Sequence, residues 1–490
     1  MSKQELTDGL ATDRKAARAN VEPVTGKLTL EEAIARALKY NLERRSRMME
    51  EAIAFNQFDA GRYDMLPKVV AQAGYRWRDE ELVSRSKDSV TGLPSLANPF
   101  ISSERAATVY DLGMTWSLLD FGASYYGARQ NANRVQIAAE RRRKAMHLLI
   151  QDVRAAFWRA ASAQRLQQRV AETIKLAGDA LVDARKAEAE QMRSPVESLR
   201  YQRQVLENLR LLEATNQELA TARLELLHLI NMPLTTRLEV EEPSEALSTR
   251  ILELPVERLE DVAMGLNADL REQFYNARIA RDETRRVLLR LFPGVSFNYN
   301  LKYSTDSYLV NEHWQEAGAI ISFNLMNLLS GPSQMRLADA GVSLADQRRM
   351  TAQMAVLTQV HVARLQYANA IEQYQRAEAV AGVDAKLDDI MAKRARLEVQ
   401  SKLESVANNT TAILSLQRRY QSLVQAHTAA SRLQATLGME PEFDSMDDMS
   451  LSQLTSIVAR ALKSWNQAEL PDGVRIEEPR QEQNKNSGRS

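Results

Sequence analysis

Four short stretches of the chain alternate apolar and polar residues with a period of two. The first sets Val69, Ala71, Ala73, Tyr75 and Trp77 against Gln72, Gly74, Arg76 and Arg78. The second sets Tyr110, Leu112, Met114, Trp116 and Leu118 against Asp111, Gly113, Thr115 and Ser117. The third sets Val295, Phe297, Tyr299, Leu301 and Tyr303 against Ser296, Asn298, Asn300 and Lys302, and the fourth sets Ala319, Ile321, Phe323 and Leu325 against Ser322 and Asn324. Successive side chains of a strand point to opposite faces, so each stretch has an apolar, aromatic-bearing side and a hydrophilic side. Strands of about 9–11 residues with this pattern match those that cross an outer membrane. Four strands cannot close a barrel, and lipid tolerates no open strand edge, so several copies are expected to share one.

The segments between the strands have a helical period. Residues 123–192 contain two glycines, Gly127 and Gly178, and no proline; a helix of that length would extend for about 105 Å. Met146, Val153, Ala160, Gln167, Ile174 and Leu181 recur every seventh residue, with Leu149, Ala156, Ala163, Val170, Ala177 and Ala184 three positions on. All but Gln167 are apolar, which predicts the seam of a left-handed coiled coil. A return arm from Pro195 carries Leu212, Leu219 and Leu226, and a second arm carries Val406, Ile413 and Tyr420 beside Leu416, Leu423, Ala430 and Leu437. Both read as antiparallel helical hairpins. A shorter helix, over about 30–65 and again over about 256–291, leads into each strand pair.

The chain is written twice. Asn41 precedes Pro67 by the same interval at which Asn267 precedes Pro293, and each proline opens an alternating strand. Beyond Gly122 and Gly331, which are expected to end the strand pairs, a constant offset of 207 relates Val153 to Val360, Ala156 to Ala363, Ile230 to Leu437 and Met232 to Met439. The expected organisation is a polar segment over 1–27, a first repeat over 28–232 (hairpin about 67–122, helical hairpin 123–232) and a connector over 233–255. A second repeat follows over 256–440 (hairpin about 293–331, helical hairpin 332–440), then a short helix and disordered tail over 441–490.

Composition excludes more than it assigns. Lys plus Arg and Asp plus Glu both total 64, so no net charge argues for nucleic acid. Cysteine is absent, which removes disulfides and thiolate metal sites and leaves these 490 residues with no cysteine to carry an N-terminal lipid. Residues 1–27 hold no apolar core of the kind a secretory signal needs. The five histidines form no HExxH or close pair, and no GxSxG or phosphate-binding glycine loop occurs. No catalytic residue, cofactor site or metal site is expected.

Several segments carry a family resemblance. LTLEEAIARALKYNLE, LPKVVAQAGYRW, WSLLDFG and ARLELLHLINMP in the first half, and LNADL, FPGVSFNYN, FNLMNLLSG and LQATLGMEP in the second, resemble the TolC family of outer-membrane efflux and secretion channels over roughly 28–441. The resemblance implies a mostly α fold with membrane β: long antiparallel coiled-coil hairpins forming an α-helical barrel in the periplasm, and four strands per protomer joining a shared twelve-stranded β-barrel in the outer membrane. It implies a homotrimer that acts as the passive exit duct of a tripartite efflux pump or type I secretion system. The partners would be a periplasmic adaptor (membrane fusion protein) and an inner-membrane RND or ABC transporter. Family hairpin tips carry a Val-Gly-Leu-type turn, whereas the corresponding stretches here, EAEQMRSPVES and AKRARLEVQSKLES, have no glycine.

On that basis Gln72, Arg76, Asn298, Asn300, Ser322 and Asn324 are expected to line a wet lumen, and Tyr75, Trp77, Trp116, Tyr299 and Phe323 to face lipid. Glu190, Arg193, Ser194, Glu197, Arg394, Arg396, Glu398, Ser401 and Glu404 mark the hairpin tips and are candidates for gating pairs and adaptor contact. Ser194-Pro195 also reads as a helix N-cap followed by proline in the first turn. The competing reading is a soluble coiled-coil scaffold, in which the aromatic alternation would belong to an ordinary sheet core.

Overall fold

A computed structural model describes residues 1–94, 99–190, 194–241, 247–396, 402–439 and 449–471, with only the backbone described at 392, 394–396, 402 and 403. The elements are α1 (Lys3–Arg18), α2 (Leu30–Tyr40), α3 (Leu42–Arg62), β1 (Lys68–Trp77), β2 (Val83–Ser84), β3 (Phe100–Ile101) and β4 (Ala106–Ser117). There follow α4 (Leu118–Ala189), α5 (Pro195–Leu229), α6 (Arg250–Glu253), α7 (Val256–Leu266), α8 (Ala268–Arg290), β5 (Gly294–Ser304), β6 (His313–Ser322), α9 (Met326–Arg396), α10 (Lys402–Thr436) and α11 (Leu451–Asn466). The series α2-α3-β1-β4-α4-α5 recurs as α7-α8-β5-β6-α9-α10. The chain divides into two compact units: Met1–Glu50 with Ala139–Glu272 and Met350–Ser490, and Glu51–Ala138 with Gln273–Arg349.

The first unit is helical. Glu188 accepts from Gln202 at 2.5 Å and Arg159 meets Glu225 at 2.8 Å, so α4 and α5 run antiparallel. The seam of α4 follows the heptads through Met146, Leu149, Val153, Ala156, Ala160 and Ala163, all buried. Gln167 then departs from the pattern: it is exposed, and Leu166, Thr173 and Ala180 take the column over. A straight α-helix drifts against a seven-residue repeat, and here the buried stripe steps back by one residue where a polar side chain would otherwise enter it. On α5 and α10 the anticipated Leu212, Leu219, Leu226, Val406, Ile413, Tyr420 and Leu423 are all buried.

Each expected leading helix is broken in two, at Asn41 and at Asn267. Both asparagines have extended backbone (φ −63°, ψ 128° and φ −62°, ψ 126°) and close the preceding helix through a backbone N–H. The side-chain oxygen of Asn41 accepts from the Arg44 N–H at 3.1 Å, and that of Asn267 accepts from the Leu270 N–H at 3.1 Å. Each thus caps the following helix. The amide nitrogens donate to the carbonyls of Leu229 at 3.1 Å and Thr436 at 2.9 Å, positions related by the same 207-residue offset. The hydrophobic period runs straight through both joints, so it gives no sign of the break.

Helix α11 opens with a capping box between Ser450 and Gln453. It buries Leu451, Leu454 and Val458 in a core shared with α2, α4 and α5, and Trp465 in a second core shared with α7, α9 and α10. One amphipathic helix therefore serves the cores of both repeats. Residues 19–28 strap the first of these. The buried Arg36 donates to the carbonyls of Glu22 at 2.5 Å and Pro23 at 3.0 Å, while Gln164 exchanges two hydrogen bonds with the backbone of Val240 beside Leu28. The N-terminal segment, read from sequence only as polar, carries the helix α1, which begins with a Ser2–Glu5 capping box.

The second unit holds the sheet. Its four strands are antiparallel in the order β1-β4-β5-β6, and β2-β3 form a separate two-stranded ribbon in the β1–β4 connection. The second strand of each pair ends earlier than its glycine: β4 stops at Ser117 and β6 at Ser322, while Gly122 and Gly331 lie inside α4 and α9. A Cβ at these glycines would come 3.0 Å from Leu289 and 3.4 Å from Leu291 respectively, so both permit close packing, of α4 on the end of α8 and of α9 on the residue just past it. No described helix is long and apolar enough to cross a membrane.

Candidate functional site

Register decides which residues share a face of the sheet. Tyr110 pairs with Ala73 on one side and Tyr303 on the other; Met114 pairs with Val69 and Tyr299; Trp116 pairs with Phe297. Tyr75, Trp77, Trp116 and Tyr299 consequently lie on one face, with Leu112, Phe297, Leu301 and Ile321. This apolar face is open: Tyr75 is 69 % and Ile321 75 % exposed. Tyr110 and Tyr303 stack across the strands at 5.9 Å.

The opposite face is mainly polar, with Val70, Val109, Ile320 and Trp314 the larger apolar side chains on it. It collects Gln72, Arg76, Asn298, Asn300 and Ser322, as expected from the alternation, together with Asp111, Thr115, Lys302 and Glu316. Asn300 sits against Gly113 and Asn298 against Gly318, where a Cβ would come within 2.6 and 2.8 Å of the amide oxygens. The two glycines leave room for the amides on an otherwise crowded surface. Lys302 Nζ donates to Glu316 at 2.6 Å, and Trp314 Nε1 donates to the other oxygen of the same carboxylate at 2.7 Å.

Two sequence-derived positions leave the sheet. Phe323 and Asn324 lie beyond the end of β6, so neither belongs to a strand face. Asn324 instead accepts from the Met326 N–H at 3.0 Å through its side chain and from the Asn327 N–H at 2.9 Å through its carbonyl. It shapes the start of α9, because Asn competes well for exposed amides at helix starts. The strand itself begins earlier than the alternation suggested, at His313.

At the first tip, Ser194 caps α5: its hydroxyl accepts from the Glu197 N–H at 3.3 Å, and Pro195 opens the helix. Glu190 and Glu197 are exposed, as is Glu404 in the first turn of α10. Arg193, Glu398 and Ser401 lie outside the described residues, as do the side chains of Arg394 and Arg396. Further along the hairpins, Arg169 of α4 forms an ion pair with Asp388 of α9, and Arg419 of α10 meets Glu378 of α9 at 3.1 Å.

No protein-family profile matches the sequence, and no curated protein matches it. Solved structures do match. A membrane protein from Pseudomonas aeruginosa superposes with a TM-score of 0.63 at 14 % identity, covering 86 % of this chain and 92 % of that one. The Campylobacter jejuni CmeC outer membrane channel gives 0.61 at 11 % identity, over 92 % of this chain and 95 % of that one. The open state of the Neisseria gonorrhoeae MtrE outer membrane channel gives 0.59 at 15 % identity, over 84 % and 88 %. The fold is that of the TolC family.

Within this TolC-like frame, the helical unit holds buried polar groups that sequence reasoning did not single out. Arg154 is buried between α4 and α10, donating to Ser431 Oγ at 2.8 Å, with the His427 ring 3.5 Å away. His427 stacks on Trp158 at 4.6 Å. Burial, reinforced by Arg154, pushes His427 down to about 3; burial, reinforced by Arg143, pushes His147 down to about 4. Tyr367, whose hydroxyl donates to the Ser248 carbonyl at 2.6 Å, is pushed up to about 12 by burial. No cluster of three or more metal-ligating side chains occurs among the described residues. On the sheet, Asp111 and Lys302 were visible in the alternation, but nothing in it marked them as neighbours. Glu316 was missed because its strand was read as starting three residues later.

Proposed function

We propose that the chain is one protomer of a homotrimeric outer-membrane channel, the passive exit duct of a tripartite efflux pump or type I secretion system. The observation that carries this reading is the sheet. It is a four-stranded antiparallel ribbon with β1 and β6 at its margins, one face polar and the other aromatic and exposed. In water such a face is an aggregation hazard, and in lipid its unpaired edges are forbidden. Three copies give twelve strands with every edge paired. The aromatic face then meets lipid, through Tyr75, Trp77, Trp116 and Tyr299. The polar face, with Gln72, Arg76, Asn298, Asn300 and Ser322, lines the lumen.

The helical hairpins then supply a periplasmic duct whose tips engage an adaptor and, through it, an inner-membrane RND or ABC transporter. The tips carry Glu190, Ser194, Glu197 and Glu404, and the α4–α9 ion pair Arg169–Asp388 is a closing contact that can be broken without disturbing a core. The channels CmeC and MtrE, with which the chain superposes, support the reading through their fold. The test is conductance: purified protein added to a planar bilayer should insert as discrete channels of uniform size, and Arg169→Ala should raise their open time. Detergent-independent solubility without any conductance would instead favour a coiled-coil scaffold.

A further inference from the structure

The register of the sheet brings three charged residues together on its polar face. Asp111 of β4 and Lys302 of β5 are direct cross-strand partners, in one row with Gln72 of β1 and Trp314 of β6. Glu316, two residues beyond Trp314 on β6, reaches back to Lys302 at 2.6 Å and to the Trp314 indole at 2.7 Å. Its two oxygens are thus committed in a fixed orientation, whereas Asp111 keeps one buried oxygen without a hydrogen-bond partner. The surrounding positions on this face are small or neutral: Gly113, Thr115, Asn298, Asn300 and Gly318. The remaining cations of the face, Lys68 and Arg76, sit at or next to the two ends of β1, and Arg76 lies 3.9 Å from Asp306 in the β5–β6 loop. Mid-strand, each protomer therefore presents two carboxylates and one ammonium.

We propose that Asp111, Lys302 and Glu316 form the charge filter of the strand-lined passage, a belt that favours cations over anions. The inference rests on the channel reading above, in which this face lines the lumen and three copies close into a ring. Each protomer then contributes one net negative charge to the belt. Rings of charged side chains are a general device for ion selectivity, because low-dielectric walls focus their field on the passing solute. Lys302 holds Glu316 against the wall and tempers the belt rather than neutralising it. Solutes with a cationic or zwitterionic group are the class such a belt would pass most readily, and polyanions the class it would slow.

The test is the reversal potential of single channels in a planar bilayer under a tenfold KCl gradient. Wild type should prefer potassium. Lys302→Gln should raise the potassium-to-chloride permeability ratio by about twofold or more, and Asp111→Asn with Glu316→Gln should bring it to or below unity. The shifts should shrink at molar salt, where screening reaches only about 3 Å. Should Lys302→Gln fail to assemble, the near-isosteric carboxamide pair carries the test alone. Channels of normal conductance with unchanged reversal potential in the carboxamide variant overturn the belt and leave the channel reading intact. The absence of any wild-type channel overturns both.

Discussion

The two helix joints, at Asn41 in the first repeat and Asn267 in the second, solve one problem with one residue, yet their surroundings differ. Each asparagine caps the next helix and ties it to the end of a return arm. Just past those arms the chain must turn through a left-handed residue. In the second repeat it is Gly438, at φ +70°; in the first it is Asn231, at φ +55°. Both allow the same closure, with Met232 donating to Leu227 at 2.8 Å and Met439 to Gln434 at 3.1 Å. A Cβ at Gly438 would come 2.3 Å from the Leu266 carbonyl oxygen, so no side chain fits. Asn231 instead extends a side chain that donates to the Ala17 carbonyl at 2.7 Å. The first repeat holds the end of α1 at the point where the second must keep its backbone bare. The backbone solution is shared between the repeats, and the side chains around it have diverged.

That contrast predicts a large asymmetry. Gly438→Ala should destabilise the protein by about 3 kcal/mol or more, combining left-handed strain with backbone overlap. Asn231→Gly should change stability by under about 1 kcal/mol, since glycine adopts the same turn and only the contact with Ala17 of α1 is lost. Thermal unfolding of detergent-extracted protein, followed by circular dichroism, reads both. Equal losses at the two sites would refute the distinction.

The joints themselves should behave alike. Asn41 and Asn267 are both buried, and each makes one capping and one tertiary hydrogen bond. Asn41→Ala and Asn267→Ala should each cost about 1–3 kcal/mol, with the double variant close to additive because the two sites share no partner. A joint that tolerates alanine while its counterpart does not would show that the repeats no longer share the device.

A smaller effect is pH-dependent. His147 and His427 stay neutral in the folded protein down to about 4 and about 3, whereas an unfolded imidazole takes up its proton near 6.5. Below about pH 6.5 the unfolded chain therefore binds more protons, and stability falls as pH drops from there toward 4. Each histidine contributes at most about 1.4 kcal/mol per pH unit in that window. Replacing His427 with Gln should flatten the pH dependence of the melting temperature, and an unaltered slope would place the proton uptake elsewhere.

The smallest expected change concerns Arg154. Its repeat counterpart is His361, which meets Glu260 at 2.7 Å. The position corresponding to Glu260 in the first repeat is the buried Ile34, and Arg154 has no carboxylate partner among the described residues. Burial of a cation without an acid is costly, so Arg154→Met should leave stability unchanged or raise it slightly. A loss of several kcal/mol would instead assign its bond to Ser431 an essential part in joining α4 to α10.

Alternation made three of the four long strands legible, and heptads made the long hairpins legible, because each signal is local and repeated. The rest depended on tertiary pairing. The start of β6 was obscured because Trp314 lies on the polar face and Gln315 on the apolar one, inverting the local pattern. The step at Gln167 needed knowledge of which neighbours α4 packs against. The Asn41 break was hidden because a capping asparagine inside an amphipathic run looks like one more polar position. On the candidate lining, sequence supplied Gln72, Arg76, Asn298 and Asn300 but not the grouping of Asp111, Lys302 and Glu316, which exists only once register is fixed. Asn324 went wrong for the same reason: the last residues of a strand and the cap of the next helix share an alphabet.

The central claim is that β1 and β6 are edges awaiting sister copies. Native mass measurement of the protein extracted from membranes in mild detergent tests it most directly. The account predicts a single species of three chains that persists on dilution. A stable, detergent-free species of one chain would contradict it.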